Sequence, residues 1–285
     1  MKKFIGIIST LLACGSFAMA TPAWDTVDEK YISTDLRVPA GRMIGFGVVN
    51  KFGHAHAGIQ TTITDIWDRA DATPTQQTWV APTQARVHTI VSTSDLDQPG
   101  SGGGATMKVF GLTDWDTKEA SETVTLDGTG IVTTANSYVI IHRMRIVTKG
   151  ATNVNVGTIT ATAVTDATVT AQIGVGNGQT LMAIYGIPSV QCAYVTRYYG
   201  SVNKAQGAAA AIEFEFMVNP TPKTELLNYL VKNTRGVQST GNSDSTWVWS
   251  PYYKIDGPAI LKIRGTASAA DIDGSAGFDL ILVDK

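Results

Sequence analysis

Ala211-Ile-Glu-Phe-Glu-Phe-Met-Val218 alternates apolar and charged side chains. On an extended chain Ile212, Phe214 and Phe216 point one way and Glu213 and Glu215 the other, because successive strand residues face opposite sides. On a helix the same residues would wind around the whole surface and leave no apolar face. The stretch is therefore a half-buried strand. Ile260-Leu-Lys-Ile-Arg264 repeats the pattern, with Leu261 and Ile263 opposite Lys262 and Arg264. Similar runs occur at 87–92, 106–110, 123–126, 138–147, 158–164, 181–187, 193–202 and 278–283. Turn residues separate many of them: Asp127-Gly128, Asn177-Gly178, Asp256-Gly257-Pro258 and Asp273-Gly274. Many short strands at this rhythm predict an all-β chain, a β-sandwich or jelly roll, since an open antiparallel sheet must cover one face with another sheet.

Composition agrees. Of 285 residues only 16% are charged and 44% are hydrophobic, which suits sheets and turns and argues against long disordered tails. A chain of this length can bury one large core or two smaller ones. The reading here is two β lobes, 84–165 and 166–285, with a seam at Thr165-Asp166-Ala167 and an N-terminal arm over 21–83. Residues 221–230 are ambiguous. Thr221-Pro222 could cap a helix over Leu226, Leu227 and Leu230, but the all-β context favours a strand.

The first twenty residues differ from the rest. Lys2 and Lys3 precede an apolar run from Phe4 to Ala13, and Ala18-Met19-Ala20 carries small residues where a signal peptidase cuts. Residues 1–20 therefore read as a secretory signal cleaved after Ala20. Lipidation at Cys14 and an uncleaved apolar leader are the alternatives. A membrane partner is expected only if this segment is retained. Net charge is -2 with no basic cluster, so a direct nucleic-acid partner is not expected. Of the two cysteines, Cys14 leaves with the leader, and Cys192 reads as a buried structural thiol with no partner in the chain.

The candidate chemical sites each have a plainer explanation. Gly100-Ser-Gly-Gly-Gly-Ala-Thr-Met-Lys108 has the glycines of a phosphate loop, but no Ser or Thr follows Lys108 and a strand continues from it. The loop reads as a turn. His54 and His56 share a strand face, which suits a divalent metal. The third ligand would have to come from His88, His142, Asp65 or Asp68, and a solvated polar turn between Gly53 and Gly58 is favoured. Asp95, Asp97, Asp114 and Asp116 could hold Ca²⁺ through oxygen, but they fit no calcium-loop pattern and read as turn residues. Trp247 and Trp249 also share a strand face, and Tyr252 follows them. They form a candidate aromatic platform for a sugar ring or a protein interface, with core packing as the alternative. No G-x-S-x-G elbow occurs. The chain is expected to be no enzyme and to need no cofactor.

One group of phrases carries a family resemblance. Val38-Pro-Ala-Gly-Arg-Met-Ile-Gly-Phe-Gly-Val-Val-Asn-Lys-Phe-Gly53 resembles the start of structural proteins of marine tailed bacteriophages. Thr106-Met-Lys-Val-Phe-Gly-Leu-Thr-Asp-Trp115, Ser121-Glu-Thr-Val-Thr-Leu-Asp-Gly128, Ser137-Tyr138, Asn155-Val-Gly-Thr-Ile-Thr160, Gly178-Gln-Thr-Leu-Met-Ala-Ile-Tyr185 and Gly277-Phe-Asp-Leu-Ile-Leu-Val-Asp284 follow in order. The resemblance spans about residues 36–285. It implies a virion component, capsid-associated or decorating, present in many copies, with itself and other virion subunits as partners. The alternative is an exported carbohydrate- or surface-binding module, located in the periplasm or outside the cell.

Overall fold

The computed structural model describes residues 37–70, 76–204, 210–240 and 243–285; the leader expected at 1–20 lies outside them. Every named element among the described residues is a β-strand. The chain is an all-β protein of sandwiched antiparallel sheets.

The first lobe holds β3 (His88–Ser92), β4 (Gly104–Leu112), β5 (Ala120–Thr125), β6 (Val132–Thr133), β7 (Ile140–Lys149), β8 (Ile159–Ala163) and β9 (Thr168–Ile173). They form two sheets, ordered β6-β3-β8-β9 and β5-β4-β7. Ile90, Met107, Val109, Met144, Ile159 and Ile173 are buried in one continuous hydrophobic core.

The second lobe begins earlier in the chain and resumes after the first. It takes β1 (Phe46–Ile59) and β2 (Thr64–Asp65), then β10 (Ile184–Ile187), β11 (Gln191–Lys204), β12 (Ala211–Asn219), β13 (Leu230–Gln238), β14 (Asp244–Asp256), β15 (Ala259–Ala267) and β16 (Ile272–Asp284). One sheet runs β1-β16-β11-β14 and the other β10-β15-β12-β13, with β2 added on β15. Counted along this lobe alone, β1 and β10 to β16 run 1-8-3-6 in one sheet and 2-7-4-5 in the other, the order of a jelly roll. The first lobe is thus an insertion between the first two strands of that jelly roll.

This arrangement moves the boundaries read from sequence. Part of the stretch read as an arm, 21–83, supplies the first jelly-roll strand. The seam at Thr165 cuts a hairpin, since β9 pairs with β8 from Ile159↔Ile173 to Ala163↔Thr168. Thr168 to Ile173 therefore belong to the first lobe.

Phe214 and Phe216 are fully buried, as the alternation of β12 requires, and the Phe216 ring meets Tyr198 of β11 at 5.6 Å and Phe278 of β16 at 5.6 Å across the sandwich. Lys262 breaks the pattern. The alternation places it opposite the apolar Leu261 and Ile263, yet it too is buried, because Asp65 of β2 accepts a hydrogen bond from its Nζ at 2.7 Å and the Tyr229 ring lies 4.1 Å from it. Residues 221–229 form neither helix nor strand. The Asn219 amide donates to Glu225 O at 2.7 Å and its Oδ1 accepts from Thr221 N at 2.9 Å. These bonds hold a tight turn, and β13 starts only at Leu230.

Candidate functional site

The glycine-rich loop closes over a carboxylate of the protein itself, to which it contributes the Gly104 amide. Asp97 is fully buried, and its carboxylate accepts hydrogen bonds from Ser92 Oγ at 2.6 Å, Gly104 N at 2.9 Å, Val156 N at 2.9 Å and Gly157 N at 2.8 Å. Within the loop, Gly104 N is taken by Asp97, Gly103 N by Leu96 O at 2.9 Å and Ser101 N by Gln98 O at 3.2 Å, and the loop turns the chain into β4. The other acidic residues do not gather around it. Asp95 accepts from Thr129, Asp114 from the backbone of Asp116 at 2.6 Å, and Asp116 pairs with Lys223 at 2.6 Å. The calcium reading therefore has no common centre.

The tryptophans face inward. Trp249 lies 5.3 Å from Tyr198 and 5.4 Å from Phe216, and it stacks on Tyr253 at 5.9 Å. Trp247 lies under the Arg235 guanidinium, 4.1 Å from its ring. Both close the margin between the two jelly-roll sheets. Tyr252 is exposed and on the other side of β14, so Tyr253 continues the tryptophan face and Tyr252 does not. The three residues form no single platform.

His54 and His56 sit on β1, and the structure gives them a third partner that the sequence reading did not name. Asp273 of β16 accepts from His54 Nε2 at 2.7 Å through one oxygen and approaches His56 Nδ1 at 3.0 Å through the other. His88 and His142 lie elsewhere. His88 is buried against Tyr138, neither ring nitrogen has a hydrogen-bond partner, and burial lowers its pKa to about 4. Asp65 is committed to Lys262, and Asp68 accepts from Gly174 N and Leu181 N at 3.1 Å each.

A cleft of about 710 Å³ opens where the lobes meet, and no motif in the sequence marked it. Lys51, Lys118, Glu119, His142, Arg143 and Tyr185 line it. Lys51 points inward from β1 and donates to the backbone oxygen of His142 on β7, joining the two lobes. Its burial, reinforced by the Arg143 charge, lowers its pKa to about 7. His142 is held below its usual value by burial, against the opposing pull of Glu119, which it meets at 2.6 Å. For Glu119 burial pushes upward, but the His142 hydrogen bond and the nearby cations prevail and hold its carboxyl low. The Tyr185 ring packs 4.4 Å from that of His142. These ionisable groups converge, yet Lys51, Glu119 and His142 are each engaged by a direct neighbour.

The outer face of the sheet β1-β16-β11-β14 carries exposed apolar side chains on both of its edge strands. Phe46, Val48, Phe52, Val248 and Tyr252 project from it and are 38% to 59% exposed. The strands β1 and β14 form its two edges.

No family model and no curated protein matches this chain. Among solved structures, the N-terminal CBM22-1-CBM22-2 tandem of Paenibacillus barcinonensis Xyn10C is similar at 8% identity and a TM-score of 0.23, over 83% of this chain and 98% of that one. The infectious bursal disease virus Gt strain structure is similar at 10% identity and a TM-score of 0.21, over 84% of this chain and 71% of that one. The T=1 particles derived from the same virus give 10% identity and 0.22, over 84% and 70%. Likenesses this distant carry no argument about function.

Proposed function

We propose that this chain is a virion structural protein of the tailed-phage kind, capsid-associated or decorating, which works in many copies by burying surface and performs no catalysis. The observation that carries the reading is the exposed outer face of the β1-β16-β11-β14 sheet. Phe46, Val48 and Phe52 at one edge of this face and Val248 and Tyr252 at the other are apolar side chains left in water, on either side of the polar row Asn50, Asp279 and Arg197, and apolar surface exposed on one sheet face suits cover by another molecule. The edges of that sheet, β1 and β14, offer unpaired backbone groups that a neighbour can also cover. The jelly-roll order supports the reading as a fold-level analogy only, since shells and lectins both use it. The resemblance of the phrases between residues 38 and 284 to phage structural proteins points the same way. In the cleft, the mutual engagement of Lys51, His142 and Glu119 fits a joint between lobes better than a poised reaction centre.

Mass spectrometry of density-banded particles from a culture carrying this gene tests the proposal. The expected result is many copies per particle, with residues 46–52 protected from labelling in the particle and reactive in the free chain. Recovery only from the periplasm or the medium, with none in particles, overturns it.

A second reading, an exported binding module, has the cleft in its favour. A polar cleft lined by Lys118, Glu119 and Arg143 suits a polyhydroxylated ligand. Glycan-array binding that is lost in Glu119→Ala and kept in Trp249→Phe would select this reading over assembly.

A further inference from the structure

We propose that His54, His56 and Asp273 form a binding site for a divalent transition metal of the zinc class. The coordinating atoms of the three side chains all lie within 4.8 Å of one another. Two imidazoles and one carboxylate are a donor set that zinc and its neighbours favour over calcium or magnesium, which prefer oxygen alone.

The strand geometry explains how the residues meet. His54 and His56 are two apart on β1 and share its outer face. Ala55 pairs with Gly274 of β16, so Asp273 lies one step further along, beside both histidines. Between Ala55 and Ile59 the register shifts, and within this stretch Ala57 takes a left-handed φ of 49°. A bulge of this kind re-aims the neighbouring side chains and occurs next to functional sites more often than chance.

The support around Asp273 resembles the outer layer of a metal site. Asp273 is buried, whereas His56 is 78% exposed at its side chain. Asn203 donates to Asp273 Oδ1 at 3.0 Å and lies 2.6 Å from Ser275 Oγ, while Ser201 Oγ donates to Asn203 Oδ1 at 3.0 Å. These bonds fix the carboxylate without using the atoms of the histidines. Three protein ligands and an exposed side leave the fourth position to water or to a donor from outside the chain, the arrangement of an open zinc site.

Cobalt(II) titration of the full chain, read by its visible d–d absorption and paired with zinc(II) calorimetry, tests the proposal. One equivalent is expected to bind with the intense bands of a low-coordinate site. His56→Ala, which alters an exposed side chain, and Asp273→Asn should each weaken binding by more than about 100-fold with unchanged far-UV circular dichroism. Asn203→Ala, which touches the carboxylate and not the ion, should weaken it about 10- to 100-fold. Wild-type binding no tighter than that of the His54→Ala/His56→Ala double variant overturns the proposal. So does binding that survives Asp273→Asn unchanged.

Discussion

A Cβ placed on Gly103 would lie 2.3 Å from Oδ1 of Asp97. The loop therefore needs glycine at 103 because a buried carboxylate already fills the space in front of it. Asp97→Ala leaves the amides of Gly104, Val156 and Gly157 without their acceptor. The expected loss is about 3 kcal/mol or more, given about 1–3 kcal/mol for each buried group left unsatisfied. Gly103→Ala should destabilise in the same direction. Urea unfolding measures both. Phosphate or a nucleoside triphosphate should leave the midpoint of the wild type unchanged, and a clear rise would restore the phosphate-loop reading.

Trp249 links three aromatic neighbours at the margin of the jelly roll. Trp249→Ala should cost about 2–3 kcal/mol, less than the truncation of a fully buried aromatic because the ring is only partly buried. Tyr252→Ala, at an exposed position on the opposite side of β14, should change stability by less than about 0.5 kcal/mol. Thermal unfolding of the two variants separates them, and equal effects would contradict the inward placement of the tryptophan.

His88 makes the first lobe acid-sensitive. Burial lowers its pKa from 6.5 to about 4, so the folded state resists the proton that the unfolded chain accepts. Stability is complete above pH 6.5 and is lost as pH falls from there towards 4, by up to roughly 3 kcal/mol from this one group. His88→Leu should flatten the profile over that window. An unchanged acid slope in the variant would show that the imidazole is not buried neutral.

Lys51 acts on the alkaline side. Its pKa is lowered from 10.5 to about 7, chiefly by burial. Between those values the unfolded chain binds a proton that the folded chain does not. Stability therefore rises with pH across the window, by up to about 1.4 kcal/mol per pH unit. Below pH 7 both states are protonated and the cost of burying the charge is constant. Lys51→Met should remove the slope between pH 7 and 10, as denaturant titrations at several pH values would reveal. Parallel profiles for variant and wild type would contradict the buried amine.

The alternating stretches were legible because their two faces see different surroundings. Phe214 and Phe216 enter the core just as Ile212 does, with Glu213 outside. Where both faces or none are apolar, the pattern fades. In β1, Asn50, Lys51, His54 and His56 interrupt it, and Lys51 is the inward residue because it reaches the carbonyl of His142. The burial of Lys262 has no local signal, since its partner Asp65 lies almost two hundred residues away in sequence. Asp273-Gly274 read as a turn, yet both lie within β16. Gly274 is there because a Cβ would come within 2.5 Å of Ile59 Cδ1, and Asp273 because it serves the histidines. Such pairings depend on strand order, which the local pattern does not encode. The cleft has no local sequence signature for the same reason, being assembled from β1, β7, β10 and the segment before β5.

The outer face of the β1-β16-β11-β14 sheet decides whether copies of this chain join. Sedimentation velocity of the purified chain over a hundredfold range of concentration, alongside Val48→Asp/Phe52→Ser, probes it directly. Growth of the wild type into closed multimers, with the variant remaining a folded monomer, is the predicted result. A wild type that stays monomeric throughout, or a variant that associates equally well, would contradict assembly through that surface.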